Sequence, residues 1–191
     1  MVEVIPDRIE AGTYVIAGAL MGDNLKIENI IPEHIEALTM KLKEMGVNIE
    51  VNNDNILVSK TENLKATNVK TLVYPGFPTD LQQPIVTLLS LAKGTSIVEE
   101  TIYENRFNHV EYINKLGANI EIQNRKLKIT GVSSLKGNII DATDLRAGAC
   151  LLLAALKADG TSIINNADYV LRGYENIIEK LTNIGAKIEL I

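Results

Sequence analysis

The chain of 191 residues has no tryptophan and a single cysteine, Cys150. It also has only two histidines, and phenylalanine, tyrosine and tryptophan together make up 4% of it. One cysteine cannot form an internal disulfide, so a disulfide-stapled secreted scaffold is excluded. Two histidines without a cysteine cluster give no zinc-ligand spacing. The scarcity of rings leaves the core to aliphatic packing. No apolar run approaches the about 18 residues of a membrane span, and the opening "MVEVIPDRIEAG" lacks the basic start of a signal peptide. Dinucleotide and P-loop glycine patterns are also absent. These lacks read as a cytoplasmic chain with no cofactor, no metal, no nucleic-acid partner and no membrane partner. The net charge of −5 agrees, because it offers no general attraction to polyanions.

What the chain has is a repeat. The tag "GVNIEV" starts at Gly46, "GANIEI" at Gly117 and "GAKIEL" at Gly185, at intervals of 117 − 46 = 71 and 185 − 117 = 68 residues. Upstream of each tag an aspartate opens an apolar run: Asp7, Asp80 and Asp144, which lie 39, 37 and 41 residues before their glycines. Each unit reads as an Asp N-cap and an apolar helix ("YVIAGAL", "PIVTLLSLA", "CLLLAAL") ended by Gly22, Gly94 or Gly160. A short strand, an amphipathic helix that stops at the tag glycine, and the tag as a strand complete the pattern. In the first two units a turn and another strand follow ("ILVS", "LKIT"), and "VKTLVY" and "GNIID" supply further short strands. The expected fold is a single α/β domain over 1–191 with internal repeats at about 7–70, 80–140 and 144–191. Helices apolar all round belong in the interior, so three of them pack at the centre, with sheets and amphipathic helices outside. The third repeat is incomplete, because nothing after "KIELI" matches "ILVS" or "LKIT". That strand is therefore expected to present an open edge, and the chain to belong to something larger.

Four of the five arginines, Arg8, Arg106, Arg146 and Arg172, fall at unit junctions near helix starts, while Arg125 falls in a hairpin turn. Threefold symmetry gathers such ends on one side of the domain. Helix N-termini and guanidinium forks together suit a small doubly anionic ligand, and Asp80 or Asp144 among them could act as a base. The plainer readings are a cap for each aspartate and a surface pair for each arginine. His34 and His109 occupy matching places in the repeat and read as repeat features. Tyr103 and Phe107 read as packing residues. Cys150 sits in mid-helix and reads as a small buried hydrophobe.

"PGFPTDLQ" (75–82), "ENRF" (104–107), "TDLRAGA" (143–149) and "RGYE" (172–175), with "PDRIEAGT" (6–13), resemble in order and spacing the UDP-N-acetylglucosamine enolpyruvyl transferase (1-carboxyvinyltransferase) family. The resemblance covers the whole chain. It implies an inside-out α/β barrel domain, one of two in the family, with the active site in the cleft between them. The implied reaction moves enolpyruvyl from phosphoenolpyruvate to the 3′-hydroxyl of UDP-N-acetylglucosamine and releases phosphate, in bacterial peptidoglycan precursor synthesis. By resemblance, Asp80 is the general base at that hydroxyl and Ile102 meets the nucleotide sugar through its backbone. Arg106 and Arg172 hold the phosphoenolpyruvate carboxylate and phosphate. Arg146 is a further arginine of the cleft, and Asp144 takes part in proton transfer or organises the site. Only the family's second domain is matched. Its loop cysteine, a lysine and other arginines belong to the first domain, which becomes an expected partner, and the chain is expected to be inactive alone. A non-catalytic association module and the shikimate-pathway enolpyruvyl transferase are the alternatives.

Overall fold

The computed structural model describes residues 4–191. Helix α1 (Arg8–Met21), α3 (Gln82–Leu89) and α5 (Leu145–Lys157) carry the three apolar runs and touch one another at the centre of the molecule. Every residue of α3 is buried, as are Ala147–Ala154 of α5, which explains why neither needs a polar face.

Strands β1 (Leu25–Glu28), β2 (Asn48–Val51) and β3 (Asn55–Ser59) form an antiparallel sheet in the order β1-β3-β2. Strands β4 (Val69–Lys70), β5 (Thr95–Glu99), β6 (Asn119–Gln123) and β7 (Lys126–Thr130) form a second sheet in the order β4-β5-β7-β6. Within it β4 runs parallel to β5, and the other pairs are antiparallel. Strands β8 (Ile139–Asp141) and β9 (Ile163–Asn165) pair in parallel. The outer helices are α2 (Glu36–Glu44), α4 (His109–Lys115), the short α6 (Asp168–Leu171) and α7 (Ile177–Asn183). The α/β architecture with central apolar helices is the one the sequence implies.

The tag glycines end the outer helices in one shared geometry. Gly46, Gly117 and Gly185 have φ of 80°, 95° and 99°. Each donates its N–H to the carbonyl three residues back, and the next residue donates five back, as in Val47 to Leu42, Ala118 to Ile113 and Ala186 to Leu181. This left-handed cap satisfies orphan carbonyls and favours glycine because a Cβ is strained there.

Four expectations change. Asp80 is not a cap: a 3₁₀ turn, Thr79–Leu81, leads into α3, and neither it nor α3 has a side-chain cap. Asp7 and Asp144 do cap, Asp7 Oδ1 accepting from Ile9 N at 2.7 Å and Glu10 N at 3.2 Å, and Asp144 Oδ1 from Arg146 N and Ala147 N, both at 2.9 Å. Secondly, "VKTLVY" is strand only over its first two residues. Beyond them Leu72 N donates to Phe77 O at 3.0 Å and Gly76 N to Val73 O at 2.8 Å, which folds 72–77 into a turn. Thirdly, "KIELI" is not a strand. In the second sheet β7 lies between β5 and β6 and pairs with both. Among the described residues no strand takes that place beside β9, so the third tag has no ladder to join. Finally, the amphipathic helix expected before the third tag, over "YENIIEKLTNIG" (174–185), does not begin at Tyr174. Asn176 is left-handed at φ 49°, α7 begins after it, and Tyr174 is freed to point into the core, where it is 1% exposed.

Candidate active site

The carboxylate of Asp80 is held between two arginines. Its Oδ1 lies 2.7 Å from an Arg106 guanidinium nitrogen, and its Oδ2 accepts from Arg146 Nη2 at 3.1 Å. The three side chains are 33%, 16% and 17% exposed, so the ion pairs are half-sheltered from water. Burial alone would push the Asp80 carboxyl up. The charges and hydrogen bonds of Arg146 and Arg106 together outweigh it and hold the group below the ordinary aspartate range.

Each arginine is braced from a different repeat. Arg146 is at the second position of α5, where Asp144 fixes its backbone N–H. Its Nη1 donates to the Tyr174 hydroxyl at 3.4 Å, and that hydroxyl lies 2.9 Å from Thr13 Oγ1 on α1. Thr13 uses its one hydroxyl hydrogen on Ile9 O at 2.9 Å, so Tyr174 donates to Thr13 and its oxygen accepts from Arg146. Burial raises the Tyr174 phenol, which therefore stays neutral. On the other side, Arg106 Nη1 donates to Thr79 Oγ1 at 2.8 Å, and its guanidinium carbon lies 4.4 Å from the centre of the Tyr103 ring. Gln83 Nε2 also holds the Arg106 carbonyl, at 3.1 Å.

Asp80, Arg106 and Arg146, from far-separated stretches, thus meet at one point. Asp144 adjoins them as the cap of α5, with Oδ1 taken by two amides and Oδ2 3.5 Å from the Thr143 hydroxyl. Ile102 is exposed in the loop after β5. Its N–H is taken by Glu100 Oε1 at 2.8 Å, so that group is not free for a ligand. Arg172 makes no bond to the cluster among the described residues. It caps α6, with Nε donating to Asp168 O at 3.3 Å and its guanidinium carbon 5.4 Å from the Tyr169 ring centre.

The sequence reading passes over Glu100, a buried carboxylate that accepts from both Thr71 and Thr79. Strand alternation carries the signal: Ser96, Val98 and Glu100 are buried at every second residue. Arg125 is more than a turn residue. It donates to Glu100 O and Tyr103 O, both at 3.0 Å, and braces the same loop.

The remaining singled-out residues lie outside this chemistry. Cys150 is fully buried against Thr87, whose hydroxyl donates to its carbonyl at 3.1 Å, and burial pushes the thiol up to about 12. His109 is fully buried, and burial with the Arg106 charge lowers it to about 3, so it is neutral near pH 7. His34 meets the Tyr74 ring edge-on at 6.3 Å between centroids. Phe107 is core, and Tyr103 is half-exposed. Among the described residues no group of three or more histidine, cysteine, aspartate or glutamate side chains could hold a metal ion. No helix there is long and apolar enough to cross a membrane.

Fold and cluster together define a pseudo-threefold α/β fold in which one aspartate and two arginines meet near the start of a central helix. Residues 1–181 match the family model described as EPSP synthase (3-phosphoshikimate 1-carboxyvinyltransferase), and the chain belongs to that family. It is 52% identical over 185 residues to UDP-N-acetylglucosamine 1-carboxyvinyltransferase 2 of Geobacillus kaustophilus, covering 97% of this chain and 43% of the relative. With the enzyme of the same name from Bacillus subtilis it shares 53% identity over 186 residues, again 97% and 43%. The chain thus spans less than half the length of the curated relatives it matches. The crystal structure of the enolpyruvyl transferase NikO from Streptomyces tendae matches with a TM-score of 0.89 at 30% identity, over 98% of this chain and 45% of that one. EPSP synthase from Acinetobacter baumannii matches at 0.69 and 17% identity, over 100% and 45%, a likeness of fold alone.

Proposed function

We propose that these residues form one domain, with repeats at about 7–70, 80–140 and 144–191, that supplies one half of an enolpyruvyl transferase active site. The reaction is transfer of enolpyruvyl from phosphoenolpyruvate to the 3′-hydroxyl of UDP-N-acetylglucosamine with release of phosphate, in the bacterial cytoplasm. The other half of the site belongs to the part of the relatives' length that the chain does not span. The observation that carries the reading is Asp80 held between Arg106 and Arg146 at 2.7 and 3.1 Å, in a chain about half identical to transferases named for that sugar nucleotide. Those names favour UDP-N-acetylglucosamine over shikimate 3-phosphate.

The geometry suits a base that is switched on by its substrate. Two guanidinium groups pair with Asp80 and keep it a weak base. Phosphoenolpyruvate carries a phosphate and a carboxylate, both better forks for arginine than one shared aspartate. As Arg106 and Arg146 turn to those anions, Asp80 loses its compensating charge while its burial remains. Its proton affinity rises, and it can take the proton of the attacking hydroxyl. Arg172, exposed at the end of α6, adds a second clamp for the donor. Asp144 organises the site by fixing the start of α5, and the Ile102 carbonyl meets the nucleotide sugar.

The test is a phosphate-release assay. The 191-residue chain alone, given both substrates, should release none. Adding a polypeptide that corresponds to the rest of the relatives' length should restore release, and Asp80→Asn should abolish it. Release by the chain alone would overturn the half-site reading.

A further inference from the structure

We propose that Glu100 is the positioning residue for Arg106, holding the guanidinium from two sides through one buried carboxylate. The residue is 1% exposed, and no cation pairs with its side chain among the described residues. Instead it accepts four hydrogen bonds from neutral donors. Oε1 takes Thr71 Oγ1 at 2.8 Å, Ile102 N at 2.8 Å and Tyr103 N at 3.1 Å, and Oε2 takes Thr79 Oγ1 at 2.8 Å.

Each of the two oxygens controls one flank of Arg106. A threonine hydroxyl has one hydrogen, and Thr79 gives its hydrogen to Glu100. The Thr79 oxygen is thereby left as an acceptor and receives Arg106 Nη1 at 2.8 Å. Through Oε1, Glu100 fixes the amides of Ile102 and Tyr103, and the Tyr103 ring lies against the Arg106 guanidinium. Thr71 extends the brace, accepting from Thr101 N at 2.8 Å while Thr101 Oγ1 donates to the Thr71 carbonyl. Remove the acceptor and the Thr79 hydroxyl is free to turn, the loop amides lose their anchor, and both faces of Arg106 loosen together.

Glu100→Gln is the informative variant, because it keeps shape and removes acceptor character. If its amide NH₂ faces Thr79, the Thr79 hydrogen has no acceptor. If it faces the loop, donor meets two donors. Either way a buried polar group is stranded. The effect on phosphoenolpyruvate rests on the proposed function, whereas the effect on Arg106 does not, so the two are measured separately.

The experiment is NMR on the ¹⁵N-labelled 191-residue chain. In the wild type, the Arg106 guanidinium protons and the Ile102 and Tyr103 amides should exchange slowly with water. In Glu100→Gln all three should exchange at least about tenfold faster. Thr79→Val should loosen Arg106 while sparing the two amides, and Thr79→Ser, which keeps the hydroxyl, should leave Arg106 as in the wild type. The threonine pair decides the matter even if Glu100→Gln fails to fold. Unchanged Arg106 exchange in Glu100→Gln or in Thr79→Val would overturn the proposal. A parallel titration with phosphoenolpyruvate should show binding weakened about tenfold by Glu100→Gln. No binding to the wild type would count against the proposed function and leave the exchange data to decide the role of Glu100.

Discussion

Asp80 Oδ1 and the Arg106 guanidinium lie 2.7 Å apart, although 26 residues of chain (106 − 80) separate them. The second oxygen of the same carboxylate reaches Arg146, 66 residues further on from Asp80 (146 − 80). One aspartate thus joins the mouths of two repeats, and the Tyr174–Thr13 bond of 2.9 Å carries the network to the first repeat. The cluster is a structural tie between repeats.

Removing the carboxylate should therefore cost stability. Asp80→Asn leaves two half-buried arginines facing each other, and we expect a loss of about 1–2 kcal/mol, between the values for exposed and buried pairs. Asp80 is held below the ordinary value near 3.9. Its stabilising contribution is fully present above that value and fades as pH falls through the folded-state one. Urea unfolding of wild type and variant should accordingly differ near pH 7 and converge in acid. A gap that widens in acid would contradict the assignment.

Asp144 separates capping from charge. Asn is as good an N-cap as Asp, so Asp144→Asn should leave thermal stability nearly unchanged, while Asp144→Ala should cost about 1 kcal/mol. If Asn costs as much as Ala, the Oδ1 bonds to Arg146 N and Ala147 N are not what holds the start of α5.

Cys150 should be silent until the chain unfolds. An Ellman's assay at pH 8 should detect no thiol in the native protein and one after denaturation. Burial raises the thiol to about 12 from an ordinary value near 8.5. The folded state prefers the protonated form, so this contribution is intact below about pH 8.5 and is lost as pH rises towards 12. Cys150→Ser should cost about 1–2 kcal/mol without affecting ligand binding. A native thiol that reacts at once would contradict the packing.

Gly117→Ala tests the shared helix ending. A Cβ there would meet nothing within 4 Å, so the cost is conformational, arising from φ of 95°. About 1 kcal/mol of destabilisation is expected in chemical denaturation. No change would mean that the left-handed cap is dispensable.

Much of the fold is legible in the sequence. Apolar residues on every face of α3 and α5 announced interior helices, and the three tag glycines announced three helix ends. The site was harder to see, because it depends on a break in the repeat. Asp7 and Asp144 cap their helices, whereas Asp80 occupies the equivalent place behind Pro78 in a 3₁₀ turn, and its carboxylate is left for Arg106 and Arg146. No periodicity shows that difference. Glu100 is hidden in the sequence for another reason. Period-two burial predicts an inward position, but whether a buried glutamate finds four donors depends on Thr71, Thr79 and a loop amide pair brought together only by the fold. The third tag strand failed because a strand needs a partner, and its own alternation says nothing about one.

The most direct test of the account is a titration of the ¹⁵N-labelled chain with UDP-N-acetylglucosamine, followed by two-dimensional NMR, with shikimate 3-phosphate as control. The account predicts saturable shifts at Asp80, Ile102 and Arg106 with the sugar nucleotide, absent in Asp80→Asn and absent with shikimate 3-phosphate. Shifts confined to other surfaces, or equal responses to both ligands, would contradict it.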